Sequence, residues 1–453
     1  MATDTKKTEK SWQEMTPDEK LQKRIDAWLA APGIEFASSQ ARTEYKARIN
    51  RFLDAATLRK VPDRVPVLAE LGNFIGRYYG YTSYDMMYNA EKVVEVAMKA
   101  TQEFQLDTQI GAAGARPGKV MDILDEKQYL WPGHGIPVNS DMQFKEEEWM
   151  KADEYDALVE DPSDYRLRVF LPRAMGALQP LSKLPPLSGL GSAAAGLSAF
   201  GLPEVEAALN KLVEAGKAAL EWQRKVGPIR RRLTELGFPV LDGGNSGVPF
   251  ARINDSLRGT RGIMADIFRQ PGKVMEALEW MTPRLLKDCL DSARLGDSPL
   301  VHVHMHKGGD GIMSPEHYKA FYWGPLRKLC LGLIEEGLIP RLSMEGPFNS
   351  RWKLEMFREL PKGRAVWWSE GRQTDMAQLK EVFGNVACIE GDVPAALLKV
   401  GTPQEVTDYC RRLIDVAGKS GGYIFDTSFI DGNSRAENVW AMIKCAKEYG
   451  VYA

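Results

Sequence analysis

The chain has 453 residues, which is longer than a typical single domain, although α/β barrels of more than about 250 residues occur as one unit. Hydrophobic residues make up 44% and charged residues 26%, so we expect a sizeable core and exclude a chain that is disordered throughout. The formal net charge of -2 gives no general attraction to nucleic acid or anionic lipid, and we exclude nucleic acid as a partner.

The cysteine content and the N-terminal sequence indicate the cellular compartment of the protein. The five cysteines lie far apart and form no CxxC pair, which excludes a disulfide framework and a cysteine-rich zinc finger. The first residues lack the apolar core of a signal peptide, and no run of about 20 uninterrupted apolar residues follows. We therefore expect a cytoplasmic protein without a membrane span.

In chain order, residues 1–60 show charged and apolar positions at helical spacing, which predicts a helical extension packed outside the main domain. From residue 61 to 453, short β-branched runs such as VPVLAEL, PLVHVHMH and LIPRLSME alternate with amphipathic helical stretches. This alternation predicts an α/β domain with a parallel sheet, either closed or doubly wound.

Residues 175–235 interrupt the alternation. The first part is rich in Gly, Ala, Ser, Leu and Pro, and a long helical pattern follows it. We expect a helical insertion that is buried against the main domain and that serves as a substrate lid or as a docking surface.

Polar residues stand where the predicted strands end. In parallel α/β barrels the chemistry lies at the C-terminal ends of strands, so these side chains are candidates for a site. Among them, Glu390 and Asp426 are candidate catalytic acids, and Glu70 and Asn73 are candidate substrate ligands. The strand-end residues are Glu70, Asn73, Glu345, Glu370, Glu390, Asp392 and Asp426.

Four of the five histidines lie between Val301 and Tyr318. His302, His304 and His306 are spaced two apart, which on a strand places all three on one face. Together with Glu345 they could form a three-ligand zinc site with an open position. The alternative is that these imidazoles hydrogen-bond to neighbouring carboxylates.

Three further motifs are ambiguous between a functional and a structural role. Asp310, in the glycine-flanked KGGDG loop, either acts on substrate or closes a turn. LRGTRGIMADIFR places Arg258 at a candidate anion-binding corner or at a plain turn. Trp367 and Trp368 face opposite ways on one strand, so at most one of them lines a pocket.

The chain resembles the uroporphyrinogen decarboxylase superfamily, most clearly in its C-terminal half. The likeness covers roughly residues 60–453 and includes an SP-x-x-[YF]-like segment, a D-x-x-x-x-K, a G-[ND]-V turn, a GTPEEV-like helix start and a terminal GG[FY]I followed by ENV. The matching positions are Ser314 and Pro315, Asp375 and Lys380, Gly391 to Val393, Gly401 to Val406, Gly421 to Ile424, and Glu437 with Asn438.

The resemblance implies a (β/α)8 TIM-type barrel and one of two chemistries. True decarboxylases carry an arginine-rich segment after the first strand, where this chain keeps only Arg77. The other branch comprises cobalamin-dependent methyltransferases. Where coenzyme M methyltransferases of that branch have a His-x-Cys-Gly, this chain has Ser343 and Glu345, so their thiol-activating zinc set is missing.

We therefore expect a methyltransferase that moves a methyl group between a small, for example methoxylated, substrate and cobalamin on a corrinoid protein. The predicted catalytic residues are Glu345, Asp310, Glu390 and Asp426; the substrate ligands Arg77, Asn73, Glu70, Trp368 and Arg258; and the metal ligands, if zinc is bound, His302, His304, His306 and Glu345. The alternatives are a decarboxylase of a tetrapyrrole or another acid, and a non-catalytic barrel that docks a corrinoid protein. A homodimer is a further open prediction.

Overall fold

The computed structural model describes residues 10–111, 116–188, 196–370, 374–427 and 429–452. Its centre is a six-stranded sheet, and a small three-stranded sheet lies before it in the chain. The strands are β1 (Tyr129–Pro132), β2 (Gly135–Ile136), β3 (Gln143–Phe144), β4 (Asp242–Gly247), β5 (Leu300–Met305), β6 (Ile339–Met344), β7 (Val366–Ser369), β8 (Cys388–Glu390) and β9 (Tyr423–Ile424).

Helices separate the strands of the large sheet and surround it. The α-helices are α1 (Pro17–Ala30), α2 (Ser39–Ala56), α3 (Phe74–Tyr78), α4 (Ser83–Tyr88), α5 (Ala90–Phe104), α6 (Gly118–Leu124), α7 (Tyr155–Glu160), α8 (Pro162–Tyr165), α9 (Leu171–Ala174), α10 (Pro203–Val226), α11 (Pro228–Glu235), α12 (Pro249–Ile253), α13 (Gly259–Arg269), α14 (Pro271–Ser292), α15 (Pro315–His317), α16 (Gly324–Glu335), α17 (Arg351–Phe357), α18 (Met376–Phe383), α19 (Ala395–Val400), α20 (Pro403–Leu413) and α21 (Ala436–Tyr449). Short 3₁₀ segments cover Trp12–Glu14, Gly176–Lys183 and Leu197–Gly201, and π-helical turns cover Arg166–Phe170, Asn254–Arg258, Tyr318–Trp323 and Ile414–Gly418.

The large sheet is parallel throughout, and its strands follow one another in chain order from β4 to β9. All six residues of β6 are buried, as expected of a strand that is covered on both faces. Helix α16 shows how the covering works, since Leu326, Leu329 and Leu333 recur at helical spacing and are fully buried. The α/β class is therefore confirmed.

The two edges of the sheet are joined by backbone hydrogen bonds through two irregular segments, 66–68 and 107–109. These segments contribute isolated bonds instead of continuous ladders, so the large sheet has six regular strands in the described residues, not the eight of the predicted barrel. The bonds run from Phe425 N to Pro66 O (2.9 Å), Leu68 N to Phe425 O (2.8 Å), Asp107 N to Val67 O (3.0 Å) and Gln109 N to Pro239 O (3.0 Å).

Helices α1 and α2 cover the end of the sheet where the strands begin. Trp28 and Phe52 belong to one buried cluster with Leu300, Ile339 and Val366, which are the first residues of β5, β6 and β7. The helical extension therefore packs directly on the sheet and leaves the opposite, C-terminal strand ends to other segments. Residues 1–9 of the predicted extension lie outside the described residues.

The predicted insertion contains α10 and α11, and its residues 189–195 lie outside the described part. Leu178 and Leu181 form a buried cluster with Val205 of α10, and Ile229 of α11 packs in a second cluster with Ala97 of α5. The insertion is thus attached to the helical layer. Among the helices of the described residues, none combines the length and apolar character that a membrane crossing requires.

Candidate active site

A cavity of about 550 Å³ lies among the inward-facing side chains of the large sheet. It brings together side chains from β4, β5, β6 and β7, from the segment that follows β9 and from the irregular segments 66–68 and 107–109. The insertion contributes Val226 and Ile229 to its wall. The polar residues and the tryptophan that line the sheet side are Glu70, Asp242, His302, Arg341, Trp368 and Asp426.

A second cavity of about 510 Å³ begins at the next histidine along β5. His304 and His306 line it together with Glu345, which directly follows β6. The rings of His302 and His304 have centroids 3.9 Å apart, so the histidine row runs from the first cavity into the second.

Arg341 of β6 is the centre of a buried ion cluster. It donates through Nε to Glu390 at 2.7 Å and through Nη1 to Asp242 at 3.0 Å, and Nη2 contacts both Glu390 and Asp426. Its guanidinium also lies 4.2 Å from the ring centroid of Trp368. Burial alone would lower the pKa of Arg341, but the Glu390 and Asp242 carboxylates raise it above the ordinary value. The cation is therefore fixed and fully committed to protein carboxylates.

Three carboxyl groups in this cavity, those of Glu70, Asp426 and Asp242, hold protons more tightly than usual, and burial raises the pKa of Asp242. Burial raises the pKa of Glu70 to about 7, and repulsion from Glu370 adds to the effect. Burial and the neighbouring Glu390 raise the pKa of Asp426 well above its ordinary value. A carboxyl group with a pKa near 7 can donate a proton to a bound molecule at neutral pH.

The pKa values of the three imidazoles are shifted in different directions. Burial holds the pKa of His302 well below its ordinary value, and its Nε2 is buried without a hydrogen-bond partner among the described residues. Burial and the charge of His306 lower the pKa of His304 to about 4. The hydrogen bond with Asp255 raises the pKa of His306. At neutral pH His302 and His304 are therefore neutral, and His306 is the one that attracts a proton.

The predicted zinc ligands do not form a ligand set. His304 Nε2 accepts from the Asn245 side-chain amide at 2.8 Å, and His306 Nδ1 lies 2.8 Å from Asp255 Oδ2. Within the described ranges, no group of three or more His, Cys, Asp or Glu side chains could hold a metal ion. The residues present do not fit zinc, and two of the histidines instead bond to neighbouring side chains.

Two of the predicted site residues, Asp310 and Arg258, do not line the first cavity and form structural contacts instead. Asp310 accepts hydrogen bonds from the backbone N–H groups of Asn349 and Ser350, and it pairs with the buried Lys353 at 3.0 Å, so it joins two loops. Arg258 is buried and donates to Asp266 at 2.6 Å.

Two further predicted ligands lie near the loops that follow the first irregular segment. Asn73 donates to Asp141 and lines a separate cavity of about 340 Å³. Arg77 is bonded to Asn433 at 2.7 Å in an exposed position. The structure therefore brings together Glu70, Asp426, Trp368 and His302, and it separates them from Asn73, Arg77, Asp310 and Arg258. None of these placements measures a catalytic role, so the role assignments stay predictions.

The tryptophan pair confirms the expectation from strand alternation. Trp368 lines the first cavity, whereas Trp367 stacks on Phe357 at 4.3 Å, under the helices. The cysteines are all free and buried.

Sequence reasoning missed Arg341 and Asp242. An arginine in the otherwise apolar run IPRLSM was an available signal, because a charge on a strand buried on both faces needs a partner. The spacing of two between Arg341 and Ser343 also places Arg341 on the face that carries the site.

The residues that carry the family resemblance stabilise loops. Asp375 caps α18 through the N–H groups of Ala377 and Gln378, and Lys380 donates to Gly421 O at 2.6 Å. Asn438 donates to Gly401 O at 2.8 Å. These positions hold the helices around the sheet and do not by themselves indicate a substrate.

Comparison with known proteins gives one family match. The family model described as uroporphyrinogen decarboxylase (URO-D) matches residues 230–449. A search of curated proteins found no match. Among solved structures, a methyltransferase from Methanosarcina mazei is 15% identical with a TM-score of 0.55, and the alignment covers 88% of this chain and 98% of that one. A B12-independent methionine synthase from Shewanella sp. W3-18-1 is 9% identical with a TM-score of 0.32, over 49% of this chain and 63% of that one. The first of these structures shares the fold.

Proposed function

We propose that this chain, a member of the uroporphyrinogen decarboxylase superfamily through residues 230–449, is a methyltransferase that demethylates a small methoxylated molecule and passes the methyl group to a corrinoid protein. The observation that supports it most is Glu70, whose pKa burial raises to about 7 in the first cavity. An ether oxygen is a poor leaving group unless it is protonated, and a carboxyl group of this pKa can supply the proton.

In the proposed reaction, Glu70, His302 and the Arg341 cluster have separate roles. Protonated Glu70 donates its proton to the ether oxygen as the bond from that oxygen to the methyl carbon breaks. The demethylated product leaves as an alcohol or phenol, and Glu70 takes a proton back from solvent. Neutral His302, whose Nε2 has no hydrogen-bond partner in the described part of the chain, is positioned to hydrogen-bond the substrate. The Arg341 cluster keeps its carboxylates in place.

The methyl acceptor is assigned to a partner protein. A volume of about 550 Å³ suits a small ether and is too small for a corrin ring with its side chains. When bound to such a partner, reduced cobalamin supplies the nucleophile that accepts the methyl group. Zinc is not assigned a step, because the histidines do not form a ligand set.

Decarboxylation of a tetrapyrrole is less well supported. Several buried carboxylates of a substrate need cations. In the first cavity Arg341 already binds Glu390, Asp242 and Asp426, and the predicted carboxylate ligands Arg77 and Arg258 lie elsewhere. Arg230 also lines the cavity and lies 3.7 Å from Asp297. Since both arginines are near protein carboxylates, the cavity favours an uncharged reacting group. The non-catalytic docking alternative gives no reason for a buried carboxyl group with a raised pKa.

The proposal includes a closed (β/α)8 barrel, which the hydrogen bonds through segments 66–68 and 107–109 support. A cytoplasmic location and a homodimer stay predictions.

The test is methyl transfer from an O-[¹³C]methyl ether to free Co(I) cobalamin, which stands in for the corrinoid protein. We expect labelled methylcobalamin and a rate that falls as the pH rises above about 7, because Glu70 then loses its proton. Glu70→Gln is expected to slow transfer by about 10²- to 10⁴-fold, the range typical of general acid catalysis. Glu35→Gln, at an exposed site on the surface, is the matched control. Equal rates in the two variants would rule out the proposed role of Glu70.

A further inference from the structure

The second cavity contains an arginine, Arg252, that forms no ion pair with a carboxylate of the described residues. Arg252 follows β4 in α12, lines this cavity and is exposed in it. Within the described residues its side chain has no hydrogen-bond or ion-pair partner. Its positive charge also acts on His304, whose pKa is lowered first by burial, then by His306 and then by Arg252.

The other charges of the cavity are mostly committed to each other. Lys307 pairs with Glu146 at 3.3 Å, and His306 pairs with Asp255 at 2.8 Å. The cavity also has a third carboxylate, Glu345, and its remaining cations are Arg116 and Arg252.

Arg116 supplies a second guanidinium and an aromatic wall. It donates to the Tyr129 hydroxyl at 3.0 Å and lies 4.3 Å from the centroid of that ring. Tyr129 and Phe144 both line the cavity, with ring centroids 5.3 Å apart. An aromatic or other flat apolar body fits against this wall while its charged end reaches the arginines.

The backbone makes room for the Arg252 guanidinium. Gly247, at the end of β4, lies directly beneath it: a Cβ added there would stand 2.6 Å from Arg252 Nε and 3.3 Å from Arg252 Cζ. Any other residue at this position would displace the guanidinium. Since Arg252 is a flexible side chain, the fold can accommodate such a change while the guanidinium moves.

We propose that the second cavity is a carboxylate-binding subsite, in which Arg252, with Arg116 in the same cavity, holds a single carboxylate of the substrate. A planar guanidinium matches a carboxylate through two parallel hydrogen bonds. The substrate is then a methoxylated monocarboxylic acid, whose ether end lies toward Glu70 and whose acid end lies beyond the histidine row. This substrate class rests on the proposed function, whereas the subsite itself does not.

The probes are 4-methoxybenzoate and 4-methoxybenzamide, which have nearly the same shape and differ in charge. In titration calorimetry we expect the wild-type chain to bind the benzoate at least about tenfold more tightly than the benzamide. A difference of this size corresponds to one charge-assisted hydrogen bond. Arg252→Gln is expected to abolish this preference. Arg42→Gln removes the same charge from an exposed position on α2 and is expected to keep the preference.

Gly247→Ala is the second variant, because it keeps every charge and displaces only the guanidinium. We expect weakened benzoate binding with unchanged benzamide binding and an unchanged circular dichroism spectrum. The proposal is overturned if wild type does not prefer the benzoate, or if either Arg252→Gln or Gly247→Ala keeps the full preference. Charge-dependent binding without methyl transfer would support the subsite and count against the proposed function. Methyl transfer without a preference for the charged probe would support the proposed function and overturn the subsite.

Discussion

Arg341→Met removes the cation from a cluster in which Glu390 is fully buried and Asp426 is 2% exposed. Because the pKa of Asp426 is already raised, the charge left without compensation is chiefly that of Glu390. Breaking a buried pair in this way costs about 3–5 kcal/mol. The variant escapes part of the cost by taking up a proton, at about 1.4 kcal/mol for each pH unit above an ordinary Glu pKa of about 4.3. We therefore expect a loss of about 3–5 kcal/mol at pH 8 and about 1 kcal/mol at pH 5.

The assay is urea unfolding at both pH values, followed by tryptophan fluorescence, to which Trp368 beside Arg341 contributes. Arg358→Met is the matched control, since its pair with Glu355 is exposed on both sides and is worth about 0–1 kcal/mol. A loss that is equal at pH 5 and pH 8 would refute the reasoning, because it would mean that lost packing, and not an uncompensated carboxylate, is the cause.

Two further predictions concern stability. Trp28→Ala opens the cluster between α1 and the starts of the strands and is expected to cost about 3–5 kcal/mol in urea unfolding, whereas Trp352→Ala, at a 37% exposed site, should cost much less. The pKa of His304 is lowered to about 4, so below about pH 6.5 this histidine is protonated in the unfolded chain but stays neutral in the folded chain. Its contribution to the free energy of unfolding is therefore complete above pH 6.5 and falls by up to about 3 kcal/mol toward pH 4. His304→Gln is expected to flatten that acid limb in unfolding curves, and parallel curves for wild type and variant would contradict it.

The sequence located one side of the site because strand periodicity has geometric consequences. Glu70 and Asp426 were found as polar groups at strand ends and His302 as part of the histidine row, and the structure places all three in one cavity. The two-residue spacing of the histidines likewise put them on one face of β5. These are properties of a single segment, and a single sequence is enough to reveal them.

The remaining features depend on contacts between segments that are far apart in the chain. Arg341 binds carboxylates from β4, from β8 and from the segment that follows β9, and neither its partners nor its burial follows from the run IPRLSM alone. The position of Asp310 in a glycine-rich loop was compatible with catalysis, but its partner Lys353 is more than forty residues away. Arg252 was missed because nothing in its own segment shows that it lacks an acidic partner.

The most direct test of the site chemistry is the titration of the Glu70 carboxyl group, measured as the carboxylic C=O band in the infrared difference spectrum between wild type and Glu70→Gln across pH 4 to 9. We expect a band that disappears with a midpoint near pH 7, as burial of Glu70 requires. A midpoint near the ordinary Glu value of about 4.3 would show that the group is a carboxylate at neutral pH, and Glu70 could not then serve as the proton donor.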